Sequence, residues 1–215
     1  MILDEALIGF VHIPRTGGTS VEHALIKKHG FKGQLMVQSI PDAIWTLRSV
    51  NTLDSKRMRG TVEFHKKHAT FDELKKLRPH YKYYATVRHP KDRMESLYRI
   101  LTFSSENGIP WVNTEFNQFV KEFIVHNNYM RPTTMIDNTM FRHTQVEMLG
   151  LNKSYFPTAE WHRLEDNTIW KALDIEPQLR YAIPSTPIEW TEESLELVED
   201  YYREDYKTFD YDMGL

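Results

Sequence analysis

Three short stretches hold most of the residue types that could do chemistry. In Pro14-Arg15-Thr16-Gly17-Gly18-Thr19-Ser20, an apolar run gives way to two glycines and then to a helical pattern. That order is what a phosphate cradle needs. The glycines let backbone N–H groups approach an anion, a helix N-terminus points its partial positive charge at it, and Thr19 and Ser20 add hydroxyl donors while Arg15 adds a full charge. The same string also reads as an ordinary strand-to-helix turn with Thr19 as a plain N-cap. It is not a Walker A loop, since G-x-x-x-x-G-K-[ST] occurs nowhere in the chain. In the second stretch, Arg88 ends an apolar run and Ser96 follows eight positions on. One phosphate at a strand's carboxyl edge could meet both the guanidinium fork and the hydroxyl. The bland alternative is a salt bridge at a sheet edge and a solvated helix residue. The third stretch is His65-Lys66-Lys67-His68-Ala69-Thr70. A neutral imidazole, with an unperturbed pKa of about 6.5, suits a base for a hydroxyl, and Lys66 and Lys67 favour its unprotonated form. A zinc site at His65-x-x-His68 lacks a cysteine, an HExxH motif and a clear third ligand, so no metal is expected.

These residues must be positioned by the elements around them. Leu7 to Ile13 is a β-branched apolar run stopped by Pro14, which predicts a buried strand. Thr19 to His29 then predicts a helix, with Thr19 and Glu22 at capping-box spacing and Val21, Ala24 and Leu25 on one face. A second strand-to-helix unit follows at Tyr83–Val87 and Asp92–Leu101, its apolar face being Met94, Leu97, Tyr98 and Leu101. That face leaves Arg93, Ser96 and Arg99 off the core. Thr70-Phe71-Asp72-Glu73 caps a short helix through Leu77, and Phe116, Phe119, Val120 and Phe123 mark another helix face. Ala159 to Leu164 reads as a strand, and a helix opened near Thr191 carries Leu195, Val198, Tyr201 and Tyr202. Strands alternating with helices predict one α/β domain over residues 1–215, a central parallel sheet flanked by helices, and a P-loop-like cradle after the first strand.

Composition narrows the function classes. At 215 residues, 40% hydrophobic and 27% charged, the chain is an ordinary globular length and mixture, without repeats or low-complexity tracts. No run approaches the ~20 apolar residues of a membrane span, so no membrane insertion is expected. Cysteine is absent, which removes thiolate nucleophiles, thiolate metal sites and disulfides, and fits a reducing cytoplasm. The net charge of -3 conceals an asymmetry. Residues 1–99 hold 18 Lys and Arg against 10 Asp and Glu, whereas residues 100–215 hold 9 against 20. A basic first half fits an anionic ligand. Nucleic acid is disfavoured, because no groove-reading motif is present and the acidic second half would repel a phosphate backbone.

The segment His12-Ile13-Pro14-Arg15-Thr16-Gly17-Gly18-Thr19-Ser20, followed by Thr86-Val87-Arg88-His89-Pro90-Lys91-Asp92-Arg93-Met94-Glu95-Ser96, resembles the paired cofactor signatures of the sulfotransferases. The resemblance is closest to the carbohydrate O-sulfotransferases of the heparan and chondroitin type. It implies that residues 15–20 (Arg15, Thr16, Gly17, Gly18, Thr19 and Ser20) hold the 5′-phosphosulfate of 3′-phosphoadenylyl sulfate (PAPS). It further implies that Arg88 and Ser96 hold the 3′-phosphate, with 3′,5′-ADP as the product. Arg15 stands where the family has a catalytic lysine; it can stabilise charge but does not readily donate a proton. A His two residues before a Thr or Ser resembles the family's catalytic histidine segment and selects His68 as the base, with His65 and then Glu63 next in line. Fainter likenesses are Tyr129-Met130-Arg131-Pro132, Trp161-His162-Arg163-Leu164-Glu165-Asp166 and the closing helix from Glu199. The family's Asn-x-Ser before that helix has no counterpart at the expected place, where Ser185 is the one comparable residue.

The expectation is therefore sulfuryl transfer from PAPS to a hydroxyl, first of all on a carbohydrate, by a metal-free in-line reaction with a His base. Two alternatives stay open: a nucleoside-triphosphate-dependent kinase and a nucleotide-binding module without activity.

Overall fold

The computed structural model describes residues 1–4, 6–29, 68–106, 112, 114–126, 141–152, 159–178 and 186–214. Two compact units emerge, one from Met1–Val87 with Gln145–Arg180, the other from Arg88–Thr144 with Tyr181–Leu215.

The first unit is built on a four-stranded sheet in the order β1 (Ile2–Leu3), β2 (Ile8–Val11), β3 (Lys82–Val87), β4 (Glu160–Arg163). β2, β3 and β4 run parallel, with Gly9 opposite Tyr83 and Ala85 opposite Trp161. The parallel strands are those the sequence predicts. β1 makes the sheet mixed, pairing antiparallel with β2 through Ile2–Gly9 and Leu3–Ile8. Two residues are too few for any periodicity to register. Behind β2 lies α1 (Gly18–His29), whose Val21, Leu25 and Ile26 are fully buried against Phe10, Tyr84, Ile169 and Trp170. Burying each such side chain is worth about 1.5–3 kcal/mol. Trp170 and Ile169 come from α6 (Thr168–Ala172), which follows β4.

The short α2 (Phe71–Leu77) forms because Thr70 and Glu73 cap each other, side chain to backbone in both directions, as their spacing predicts. Its far end is closed by Tyr83, whose hydroxyl lies 2.8 Å from the carbonyls of both Leu74 and Arg78. Burial pushes that phenol up to about 12. Beyond it, Asp4 accepts from Arg78 Nε at 2.9 Å and from the Tyr81 hydroxyl at 2.6 Å, tying the N-terminal segment to the turn before β3. α5 (Gln145–Leu149) packs alongside α2 in the same unit.

The second unit is helical. α3 (Pro90–Glu106) packs Met94, Leu97 and Leu101 against Phe116, Phe119 and Val120 of α4 (Phe116–Lys121), which runs into a π-helical turn over Glu122–His126. α7 (Glu192–Tyr201) adds Val198, and α8 (Arg203–Thr208), entered through the buried Tyr202, adds Tyr206. Thr191 caps α7 by accepting from Ser194 N–H, again where the sequence puts the helix start. One expectation fails here. Arg93 is 3% exposed rather than off the core, with its guanidinium donating to the His143 carbonyl at 3.0 Å and lying over the Tyr202 ring. An aromatic face and a carbonyl offset part of the cost of seating a guanidinium inside.

Candidate functional site

β2 ends at Val11, His12 and Ile13 follow it, and the chain turns through Pro14–Gly17 into α1. Arg15 and Gly17 both take positive φ, +68° and +80°. Alternation of this kind turns successive N–H groups toward one side, which is the concavity that binds anions. A Cβ at Gly17 would also press on Leu164, 2.7 Å from its Cδ1. Thr16 is fully buried, its hydroxyl 3.0 Å from the Ile13 carbonyl and 3.2 Å from the Thr86 hydroxyl, so the turn is pinned to the end of β3. The helix begins at Gly18, one residue before the predicted start, with no acidic residue in its first turn. Thr19 is thus inside the helix, and the expected Thr19–Glu22 capping box does not form. Glu22 is instead 1% exposed and faces His12. Gly18 packs on that ring, where a Cβ would come within 2.6 Å of His12 Cδ2.

The N-terminus of this twelve-residue helix has no acidic residue in its first turn, is preceded by a glycine turn and carries Arg15, Thr19 and Ser20 around it, a combination suited to a sulfate or phosphate. Arg15, Thr19 and Ser20 are half-buried, accessible to a ligand and yet fixed by the turn.

His68 belongs to the same unit. Its Nδ1 lies 2.8 Å from the carbonyl oxygen of His12, and its ring meets the His12 ring edge-on with centroids 4.8 Å apart. A carbonyl cannot donate, so Nδ1 carries the hydrogen and a neutral ring keeps its lone pair on Nε2. That is the protonation state of a general base. Arg88 and Ser96 fall in the other unit, both half-buried: Arg88 directly after β3, Ser96 two turns into α3. His65 and Glu63 lie outside the described residues, as do Tyr129–Pro132 and Ser185. Trp161 to Arg163 lie in β4, and Leu164 packs beside Gly17. Among the described residues no cluster of three His, Asp or Glu could hold a metal ion, and no helix is long and apolar enough to cross a membrane.

The element that sequence reading missed is Glu22 with His12. Glu22 sits beside the apolar positions Val21, Leu25 and Ile26, and its register in the helix is the one signal that could have placed it inward.

Among solved structures, a sulfotransferase from Alicyclobacillus acidocaldarius aligns over 97% of this chain and 90% of its own, at 15% identity and a TM-score of 0.42. No curated protein sequence matches the chain significantly. The model of the sulfotransferase family matches residues 1–168, a stretch that holds the cradle, His68, Arg88 and Ser96. With well over half of its 215 residues matched, the chain belongs to the sulfotransferase family.

Proposed function

We propose that this protein moves a sulfuryl group from PAPS to an acceptor hydroxyl, with a carbohydrate as the first acceptor class to test. The observation that carries the reading is His68, held through Nδ1–H on the carbonyl of the residue two before Pro14, with the lone pair of the neutral ring on Nε2. PAPS, the family's general donor, supplies an activated sulfur whose bridging oxygen leaves with 3′,5′-ADP. The acceptor oxygen forms the new S–O bond, its proton passes to His68 Nε2, and the electron pair of the broken S–O bond goes to the 5′-phosphate. The cradle, residues 15–20, binds the 5′-phosphosulfate and stabilises the charge that develops on the bridging oxygen, with Arg15 supplying the full positive charge. Arg88 and Ser96 take the 3′-phosphate. The chain acts as a single sulfotransferase domain over residues 1–215.

The test combines binding and turnover. Calorimetric titration with 3′,5′-ADP in chelator should give tight, metal-independent binding, and PAPS with an acceptor panel read by mass spectrometry should give a sulfated product. His68→Ala should lower turnover about 100- to 10,000-fold while leaving 3′,5′-ADP binding intact. Preference for magnesium-ATP would favour the kinase, and binding without turnover on any acceptor would favour the inactive module.

A further inference from the structure

Two buried polar side chains lie behind the cradle, and the transfer chemistry leaves both unused. Glu22 is 1% and His12 4% exposed. A carboxylate so placed is costly unless it is paired. Its Oε2 lies 2.9 Å from His12 Nδ1, off the line of a hydrogen bond and therefore an electrostatic contact, and its Oε1 lies 3.8 Å from the Met1 nitrogen. The opposite edge of the His12 ring lies under Gly18 at a separation that leaves no room for a Cβ. A third contact is the edge-on meeting with the His68 ring, while the His12 backbone carbonyl accepts from His68 Nδ1. One residue therefore touches α1 through Glu22, the cradle through Gly18, and His68 through both ring and carbonyl.

An imidazole can rotate about its Cβ–Cγ bond and exchange tautomers. Here the hydrogen bond fixes which nitrogen is protonated, and the His12 ring blocks the rotation, provided that His12 itself cannot move. Glu22 on one side and Gly18 on the other supply that condition.

We propose that Glu22 and His12 are positioning residues that hold His68 in its Nδ1–H tautomer and present Nε2 as the acceptor; their part in turnover rests on reading His68 as the base. The decisive experiment is imidazole ¹⁵N NMR of the full chain above neutral pH, paired with kinetics. Wild-type His68 should show a protonated Nδ1 and a lone-pair Nε2. Glu22→Gln, which keeps the size and removes the charge, should mix the two tautomers. The same variant should lower kcat about ten- to a hundredfold with KM for PAPS within about twofold, because a slightly misplaced base slows chemistry without touching donor binding. Gly18→Ala, which presses on His12 from the cradle side, should mix the tautomers as well. A folded Glu22→Gln protein with His68 unchanged in tautomer and kcat unchanged would overturn the proposal. So would a wild-type His68 protonated on Nε2, whether or not the variant folds. Absence of turnover in the wild type, with the tautomer response intact, would remove the sulfotransferase role of His68 while supporting its positioning by Glu22 and His12.

Discussion

Replacing Gly17 with alanine tests the cradle's backbone directly. Two separate costs follow from the structure. At φ +80° an L-residue meets its own carbonyl, costing about 1–2 kcal/mol. The new Cβ would also lie 2.7 Å from Leu164 Cδ1 and 3.3 Å from Cδ2. Both are the far end of a half-buried side chain, so Leu164 can yield by leaving its rotamer, at about 0.5–1.5 kcal/mol. The sum is a destabilisation of about 1.5–3.5 kcal/mol, which for a chain of this size lowers Tm by roughly 3–14 °C. Differential scanning fluorimetry measures the shift. A double-mutant cycle separates the two causes: with Leu164→Ala in the background the steric part should vanish, so Gly17→Ala should cost about 0.5–1.5 kcal/mol less than it does alone. Gly17→Asn, which tolerates this backbone region better, should be milder in the backbone part. A Gly17→Ala Tm within a degree of wild type, or strict additivity with Leu164→Ala, would refute the reasoning.

Arg88→Ala should weaken 3′,5′-ADP binding by about 2–4 kcal/mol while barely affecting 5′-AMP, and calorimetry showing equal losses for both would contradict the 3′-phosphate assignment. Arg15→Ala should lower kcat more than donor affinity, and Arg15→Lys should retain activity in the same sulfuryl-transfer assay; unchanged turnover of the alanine variant would remove Arg15 from the chemistry. Asp4→Asn probes acid stability. The Arg78 hydrogen bond, followed by that of Tyr81, holds the Asp4 carboxyl below its usual range, so its contribution is complete above the unfolded pKa of about 3.9 and fades as pH falls toward the folded value. With the Asp4 side chain 41% exposed, screening limits the effect to about 0.5–1 kcal/mol. Urea midpoints should differ between variant and wild type at pH 7 and draw together as pH falls below about 3.9, and a gap that does not narrow on acidification would refute the linkage.

Local signals made much of this molecule legible in its sequence. Thr70 and Glu73 cap each other three residues apart where the sequence puts them, and the last long helix opens at Thr191 as its sequence indicates. The apolar period of Met94, Leu97 and Leu101 and that of Phe116, Phe119, Val120 and Phe123 likewise name core positions. What stayed hidden depends on partners distant in sequence. Thr19 and Glu22 have the spacing of a capping box, yet the carboxylate turns to His12 because a buried ring competes with the backbone for it. Leu7 belongs to the predicted strand by hydrophobicity, but it adopts φ +52° and is 58% exposed in the turn before β2. Arg93 looks like surface charge until Tyr202 and the His143 carbonyl, both remote in sequence, are brought to it. The strand-to-helix turn that carries Arg15 to Ser20 was legible because Pro14 and two glycines separate an apolar run from a helical pattern. The contact between His68 and His12 was not, since no period or spacing links residues so far apart.

The parallel pairing of Gly9 with Tyr83 and of Tyr84 with Glu160 also governs how the protein comes to be folded. Each joins positions separated by about a third of the chain, so neither can form until a long segment has lost its freedom, and such topologies fold in milliseconds to seconds rather than microseconds. The cradle lies at the end of that sequence of events. Its turn is held by Thr16 on Thr86 and by Gly17 against Leu164, contacts that exist only once both pairings are made. In a partly folded chain the proposed anion site is therefore not yet assembled. A ligand of the cradle present during refolding should leave the early folding rate unchanged and slow only unfolding, by a factor that grows with its concentration over its dissociation constant.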